Sequence, residues 1–324
     1  MKSIGLNSIT MKKFKYWVQN NAILTILVFL VILMAALRTD TFFSVRNLLN
    51  ILRQIAVIGI GACGMTMVMI GGNLDLSIGS LLSLCMVVPI MLQPRGVLFA
   101  IVATIIVGFI VGAINGFLIG KLKGNSLIIT FGMLSIIQGI TFLITGGFYQ
   151  HGDPESIYAH IGKGFIYKIP IPVILFIVIA FLSFIILSRT VFGRSLYITG
   201  GNSYAALASG INTNNIKMLS YIMLGVFVAI GGIIKSSMID SAQPTAGSGF
   251  EFDVITAVVL GGTSLLGGIG TIWGTLIGVI LLGVISNSMV LIGLPFPLQL
   301  AVKGAILIAA VYYDSFIRGR RFEV

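Results

Sequence analysis

The amino-acid sequence predicts an all-α protein that crosses a membrane many times. Hydrophobic residues make up 57% of the 324 residues and charged residues only 9%, whereas soluble domains carry about 25% charged residues. Apolar runs follow one another from Ala22 to Tyr313, separated by loops that are rich in glycine and poor in charge. A chain of this kind is stable in lipid, where helices satisfy their own backbone hydrogen bonds.

The apolar runs give about ten transmembrane helices. A spanning helix needs about 20 apolar residues, and the run at 253–266 is the shortest candidate. It is either a span or a re-entrant segment, so eight spans plus re-entrant segments is the alternative architecture. The ten runs are 22–37, 51–71, 77–92, 97–120, 127–145, 170–187, 217–235, 253–266, 271–290 and 298–314.

The distribution of Lys and Arg predicts the orientation of the chain. Twelve of the 20 basic residues lie in four segments, which contain a single acid, Glu323. Because Lys and Arg collect in cytoplasmic loops, we expect these segments and both termini in the cytoplasm, with an even number of spans. The four segments are 1–21, 121–126, 188–217 and 316–324.

This orientation divides the chain into three parts. Residues 1–21 form a cytoplasmic N-terminal segment, 22–314 the transmembrane domain with a cytoplasmic loop at 188–216, and 315–324 a cytoplasmic tail. The net charge of +11 is explained by this topology. Since the basic residues form no patch with interleaved aromatic residues, we expect no binding of nucleic acid.

The sequence contains no pattern typical of catalysis or of metal binding. Cys63 and Cys85 lie within apolar runs without metal-ligand spacing. His151 and His160 stand nine residues apart in an outer loop, where they are more typical of solvated side chains than of a metal pair. No Gly-Lys pair is followed by Ser or Thr, so a phosphate loop is absent. We expect this chain to bind no cofactor or metal and to have no enzyme activity of its own.

Four glycines form a regular stripe within the fourth apolar run. They stand four residues apart and therefore lie on one face of a helix. Small residues at this spacing let a neighbouring helix approach closely in a membrane, so we interpret them as a packing surface. The stripe is formed by Gly108, Gly112, Gly116 and Gly120.

The stretch GGNLDLSIGS, residues 71–80, places an acid between two apolar runs. An ionisable side chain at this depth usually faces a cavity or a partner. Asn73, Asp75 and Ser77 are therefore candidates to line a solute path. In the alternative interpretation, Asp75 caps the helix that follows.

The stretch from Ser236 to Gly278 combines polar turn residues with two glycine-rich turns. Gln243 and Thr245 are candidates for the path or its outer mouth. Residues 69–80 and 259–271 show a weak internal similarity, since both contain a Gly-Gly pair and a later Ile-Gly. Such internal similarities occur in transporters that are built from repeats with broken helices.

The inner loop GGNSYAALASGIN, residues 200–212, predicts a short helix. Asn202 or Ser203 caps its start, and Gly210 ends it. Its small, nearly uncharged surface is suited to contact with another protein. A plain interfacial helix is the alternative interpretation.

These three stretches together resemble the permease subunits of ribose-type, binding-protein-dependent ABC importers, over roughly residues 40–313. The resemblance implies a bacterial cytoplasmic (inner) membrane protein that passes the membrane several times and contacts lipid. It also implies a second permease copy or paralogue, a periplasmic or lipid-anchored sugar-binding protein, and a cytoplasmic ABC ATPase that carries ATP and Mg²⁺. The inner loop then resembles the helix that couples to the ATPase, through Gly201, Asn202, Ala205, Ala206 and Gly210.

The expected function is import of a monosaccharide, ribose or a related sugar, driven by the separate ATPase. The alternative is an ion-coupled secondary transporter that works without an ATPase, with Asp75 as the proton or sodium site. An intramembrane scaffold or enzyme is a third class, for which the sequence offers no catalytic set of residues.

Overall fold

The computed structural model describes residue 33 and residues 39–322. The predicted run 22–37, apart from residue 33, and the N-terminal segment 1–21 lie outside the described residues. The first half of the chain forms α1 (Thr39–Phe42), α2 (Val45–Ile70), α3 (Ile78–Leu92), a 3₁₀ turn (Gln93–Arg95), α4 (Val97–Gly116), a π-helical turn (Phe117–Lys121) and α5 (Ser126–Thr145).

The second half of the chain is also helical. It forms α6 (Ile157–Lys163), α7 (Ile171–Arg189), α8 (Val191–Gly201), α9 (Ser203–Ala208), α10 (Thr213–Ile239), α11 (Phe250–Leu260), α12 (Ile272–Leu291) and α13 (Phe296–Phe322). Two short antiparallel pairs join β1 (Gln150–His151) to β4 (Ser241–Ala242), and β2 (Phe165–Ile166) to β3 (Ile169–Pro170).

Seven helical stretches in the described part of the chain are long and apolar enough to cross a membrane, and Phe296–Tyr312 is a shorter apolar helix. The chain is therefore a multi-pass membrane protein. The exact number of spans and the side on which each terminus lies stay predictions. The seven stretches are Val45–Ile70, Ile78–Arg95, Val97–Lys121, Ser126–Thr145, Ile171–Arg189, Thr213–Ile239 and Ile272–Leu291.

The run at 253–266 does not form one continuous helix of spanning length. The helix in this region, α11, has 11 residues and a length of about 16 Å, whereas the hydrocarbon core is about 30 Å thick. Residues 261–271 form turns instead of continuing the helix. A half-length helix of this kind matches the alternative architecture with re-entrant segments.

The core of the bundle lies around α2 and α10. Residues 59–70 of α2 are all buried, because α10, α7, α12 and α11 surround that helix. The outer faces of α4, α5 and α7 expose large apolar side chains such as Ile106, Phe131 and Phe181. In a membrane these faces contact lipid, since apolar side chains gain nothing there by being buried.

The glycine stripe of α4 lies against α10. A Cβ atom at Gly112 would stand 2.5 Å from the carbonyl oxygen of Tyr221, and one at Gly116 would stand 2.7 Å from that of Met218. Gly108 and Gly120 meet the backbone of α10 in the same way, at Gly225 and Asn214. Backbone packs directly on backbone along this crossing, which leaves no room for a side chain.

Replacing Gly112 with valine is expected to destabilise the protein by about 2–3 kcal/mol, because the new methyl groups collide with the α10 backbone. The matched control is Gly132→Val in α5, where a Cβ meets no atom within 4 Å. The melting temperatures of both variants are measured by thermal unfolding in detergent. An unchanged melting temperature for Gly112→Val would show that the crossing is looser than described.

The bundle has two distinct ends. One end, called the basic end below, contains residues 71–72, 121–126, 189–217 and 261–271, since Gly120 meets Asn214 and Gly72 lies beside Gly200. It carries the described Lys and Arg of the predicted cytoplasmic loops: Lys121, Lys123, Arg189, Arg194 and Lys217. The opposite end contains the loop 146–169, which pairs through β1 with β4 after α10.

Candidate functional site

Three glycine pairs from distant parts of the chain meet at the basic end. The N–H of Gly268 donates to the carbonyl of Ile70 at 2.8 Å. A Cβ at Gly200 would overlap that same carbonyl oxygen, and one at Gly267 would stand 2.8 Å from Cα of Gly72. We call this contact the glycine junction; it consists of Gly71–Gly72, Gly200–Gly201 and Gly267–Gly268. It fixes the ends of α2 and α8 against the loop before α12.

The two stretches that resemble each other in sequence, 69–80 and 259–271, adopt the same turn at their Gly-Gly pairs. Gly72 and Gly262 have φ of +76° and +84°, which favours glycine. The N–H of Asn73 donates to Val68 O at 3.1 Å, and the N–H of Thr263 donates to Val258 O at 3.2 Å. These bonds satisfy carbonyls at the ends of α2 and α11. The sequence similarity between 69–80 and 259–271 therefore corresponds to a shared local turn at the basic end.

A polar cavity of about 310 Å³ opens beside the glycine junction. The Tyr197 hydroxyl holds one side of this region together by donating to the carbonyl of Gly270 at 2.7 Å. Burial raises the pKa of Tyr197, so its hydroxyl stays protonated and remains a donor. The cavity is lined by Gly71, Gly72, Thr199, Gly200, Gly201, Asn202, Ser203, Tyr204, Lys217 and Leu266.

The helix α9 forms the outer rim of this cavity. Asn202 caps it, since its Oδ1 accepts the N–H groups of Tyr204 and Ala205 at 3.0 Å each. Tyr204 is 85% exposed and Leu207 53% exposed. The rim thus presents an aromatic and an aliphatic side chain on a short, rigid element.

Among the predicted coupling residues, the structure exposes Gly201, Asn202, Ala205 and Gly210 but buries Ala206. The role of these residues in coupling to an ATPase stays a prediction, and Ala206 could serve it only through the position of the helix. The Ala206 methyl group faces into the chain, because a helix of this length that lies on a surface must turn one face inward. Tyr204 and Leu207, which the sequence did not single out, occupy the outward face.

Asp75 lies in a closed polar cluster. It is only 3% exposed, and its Oδ1 accepts both the N–H and the hydroxyl of Ser77, at 2.8 and 2.6 Å. Asn115 of α4 donates to Asp75 Oδ2 at 3.1 Å and to the Ser77 hydroxyl at 2.9 Å. Asp75 therefore holds the turn just before α3, whose N-cap position is Ser77, instead of capping the helix itself as in the alternative interpretation.

Of the other predicted path residues, only Gln243 and Thr245 lie in a different segment from this cluster. Asn73 and Ser77 are buried with Asp75, while Gln243 and Thr245 follow β4 and are half-buried and exposed. Gln138 of α5 fixes that segment by donating to the carbonyl of Pro244 at 2.8 Å. Whether these residues line a solute path stays a prediction.

Sequence reasoning missed Asn115, Lys235 and Lys303. Asn115 precedes Gly116 in α4, and a lone amide in an apolar run is the signal that points to a buried partner. Lys235 and Lys303 interrupt apolar runs in the same way.

Comparison with known proteins identifies the family. Residues 47–311 match the family described as "Branched-chain amino acid transport system / permease component". The chain belongs to this family. The ribose import permease protein of Escherichia coli K12 is 37% identical over 309 residues, covering 93% of this chain and 95% of the relative. No solved structure is significantly similar to the chain.

Two further relatives narrow the assignment. The ribose import permease protein of Bacillus subtilis 168 is 39% identical, covering 88% of this chain and 90% of the relative. The L-arabinose ABC transporter permease protein of Azospirillum brasilense is 32% identical, covering 91% and 88%. The chain is thus a ribose-type ABC permease, a transport component of a multi-pass membrane complex rather than an enzyme.

Proposed function

We propose that this chain is the membrane subunit of an ABC importer that carries a monosaccharide, ribose or a related sugar, into a bacterial cell. Near full-length similarity to ribose import permeases carries this proposal. The family description mentions branched-chain amino acids, but these relatives are named for ribose and L-arabinose. Energy comes from ATP hydrolysis on a separate ATPase, which binds the ATP and Mg²⁺.

The ATPase docks on the basic end, on the exposed face of α9 beside the cavity. Tyr204 and Leu207 supply the apolar contact, since aromatic side chains commonly dominate interfaces. The glycine junction supports this interpretation, because it joins α8, immediately before α9, to the inner ends of α2 and of the loop before α12. A movement of α9 is therefore passed through α8 to the end of α2 and to the loop before α12.

The opposite end faces the outside of the cytoplasmic membrane and receives the sugar-binding protein, periplasmic or lipid-anchored. Two permease chains, identical or paralogous, enclose the solute path between them. The basic end is then cytoplasmic, in agreement with the excess of Lys and Arg in its loops.

Reconstitution of the native complex tests this function. The chain is purified with its ATPase and placed in proteoliposomes with the binding protein, and uptake of labelled ribose, arabinose and xylose is measured. ATP-dependent uptake of at least one sugar is expected. Uptake by the isolated chain under an ion gradient, without ATP, would contradict the proposal and favour an ion-coupled transporter.

Asp75→Asn separates the two mechanisms further. An ion-coupled carrier with Asp75 as its site would lose transport, whereas the ABC permease is expected to retain most of its ATP-driven uptake. The amide still accepts one hydrogen bond from Ser77, so the predicted destabilisation is about 1–2 kcal/mol. Asp75→Ala removes both acceptors and is expected to cost about 3 kcal/mol, measured by thermal unfolding.

A further inference from the structure

Four charged side chains of the described residues lie at or near the start of α11, outside the site described above. They belong to three helices: Lys235 to α10, Glu251 and Asp253 to α11, and Lys303 to α13. The start of α11 lies beside Gly61, since a Cβ there would stand 2.9 Å from Phe250. Gly61 is about 14 Å from the inner end of α2, which is close to the middle of the hydrocarbon core.

Two of the four groups form an ion pair, and the other two bond to backbone groups before α11. Lys303 Nζ and Asp253 Oδ2 form an ion pair at 2.9 Å. Lys235 donates to the carbonyl of Ala246 at 2.8 Å. Glu251 Oε1 accepts the N–H of Gly249 at 3.3 Å, while its buried Oε2 lies against Gly79 and has no hydrogen-bond partner within the described region.

The ion pair is open on one side. The side chains of Lys303 and Asp253 are 19% and 18% exposed, and Gly304 beside them has no atom within 4 Å of a Cβ. A charge that faces hydrocarbon is costly, so charged groups at this depth face a cavity or a partner. The lipid-facing helices α4 and α5 carry no charged side chain from 97 to 116 and from 126 to 145.

We propose that the Asp253–Lys303 pair, backed by Lys235 and Glu251, is a solute-contacting site on a water-filled path. The ligand is a neutral polyhydroxylated molecule, because a carboxylate accepts hydrogen bonds from hydroxyl groups and an ammonium group donates to them. The site binds weakly, since Asp253 and Lys303 already neutralise each other and the solute has to be released inward. This inference rests on the proposed sugar transport.

Thiol labelling tests whether the face meets water. Lys303→Cys is expected to react with a membrane-impermeant quaternary-ammonium methanethiosulfonate in the assembled transporter, and saturating ribose with binding protein and ATP is expected to slow the reaction. Ile106→Cys, exposed at mid-depth on α4, is the matched control and is expected to stay unlabelled. The wild-type background is low, because Cys63 and Cys85 are buried.

A second position keeps the test decisive if Lys303→Cys does not assemble. Gly304→Cys fits without a clash and reports the same face. No reaction at either position, or a reaction equal to that of Ile106→Cys, would overturn the proposal. These results do not depend on uptake, so they separate a failure of this site from a failure of the transport function.

The rate of ribose uptake measures how much Asp253 contributes to transport. Asp253→Asn is expected to lower the ribose uptake rate at saturating sugar about tenfold, as for loss of one hydrogen bond to a charged group. The amount of assembled permease and ATPase is expected to stay unchanged. Normal uptake by Asp253→Asn, or a loss explained entirely by poor assembly, would show that the pair serves only to pack α11 against α13.

Discussion

Gly200→Val is expected to prevent accumulation of the folded protein. The new Cβ would overlap the carbonyl oxygen of Ile70 and stand 2.8 Å from the amide nitrogen of Gly268. Both atoms belong to backbone, so no side-chain rotation relieves the collision. The 2.8 Å bond from Gly268 to Ile70 would also be lost. We expect a destabilisation of at least about 3 kcal/mol, large for a single substitution.

The neighbouring glycine gives a matched control. A Cβ at Gly201 meets no atom within 4 Å, so Gly201→Val is expected to fold, with a cost limited to helix propensity. Membrane abundance and thermal unfolding in detergent are compared for the two variants. Equal abundance of the two would mean that the glycine junction is not a rigid contact.

The glycine junction shows which part of this site was visible in the sequence. The stripe from Gly108 to Gly120 was readable, because a spacing of four residues places side chains on one face of a helix. That Gly72, Gly200 and Gly267 meet was not readable, since the contact joins positions more than 60 residues apart and no local pattern records it. The shared turn at Gly72 and Gly262 was detectable only as a weak sequence similarity.

The position of α11 shows a second limit of prediction from the sequence. Hydropathy alone continues the apolar run through Leu265 and Leu266, so it extends the helix past its end. The structure ends the helix at Leu260, because Gly261 and Gly262 turn the backbone and its last carbonyls are satisfied there. A Gly-Gly pair within an apolar run is thus better evidence of a helix end than hydropathy is of its continuation.

The short helix α9 shows a third limit of prediction from the sequence. Its six residues are fewer than two turns, so periodicity does not define which face is buried. Because both side chains are small, the sequence predicts the same coupling role for Ala205 and Ala206. Only Ala205 is exposed. The outward Tyr204 and Leu207 became candidates only when their burial was known.

Tyr204→Asp combined with Leu207→Asp is expected to remove most of the ATPase from the purified complex. Both side chains are exposed in this chain, so the fold is expected to remain intact, while two charges enter an apolar contact. Loss of an aromatic anchor costs about 2–4 kcal/mol, which corresponds to a roughly 30- to 1,000-fold weaker dissociation constant. ATP-driven uptake is expected to fall in parallel.

The measurements are co-purification of the ATPase, thermal unfolding of the permease and uptake in proteoliposomes. Tyr167→Asp, at an exposed tyrosine of the opposite end, is the control and is expected to retain the ATPase. Full ATPase binding by the double variant would place the docking surface elsewhere.

Ala206→Arg gives the complementary result that separates docking from folding. Because Ala206 is buried on the inward face of α9, a long charged side chain there is expected to displace the helix and lower thermal stability. The double variant at Tyr204 and Leu207 is expected to lose the ATPase at normal stability. If both variants lost stability together, α9 would be a structural part of the bundle. If only Ala206→Arg did, while the double variant lost the ATPase, α9 transmits force through its outward face.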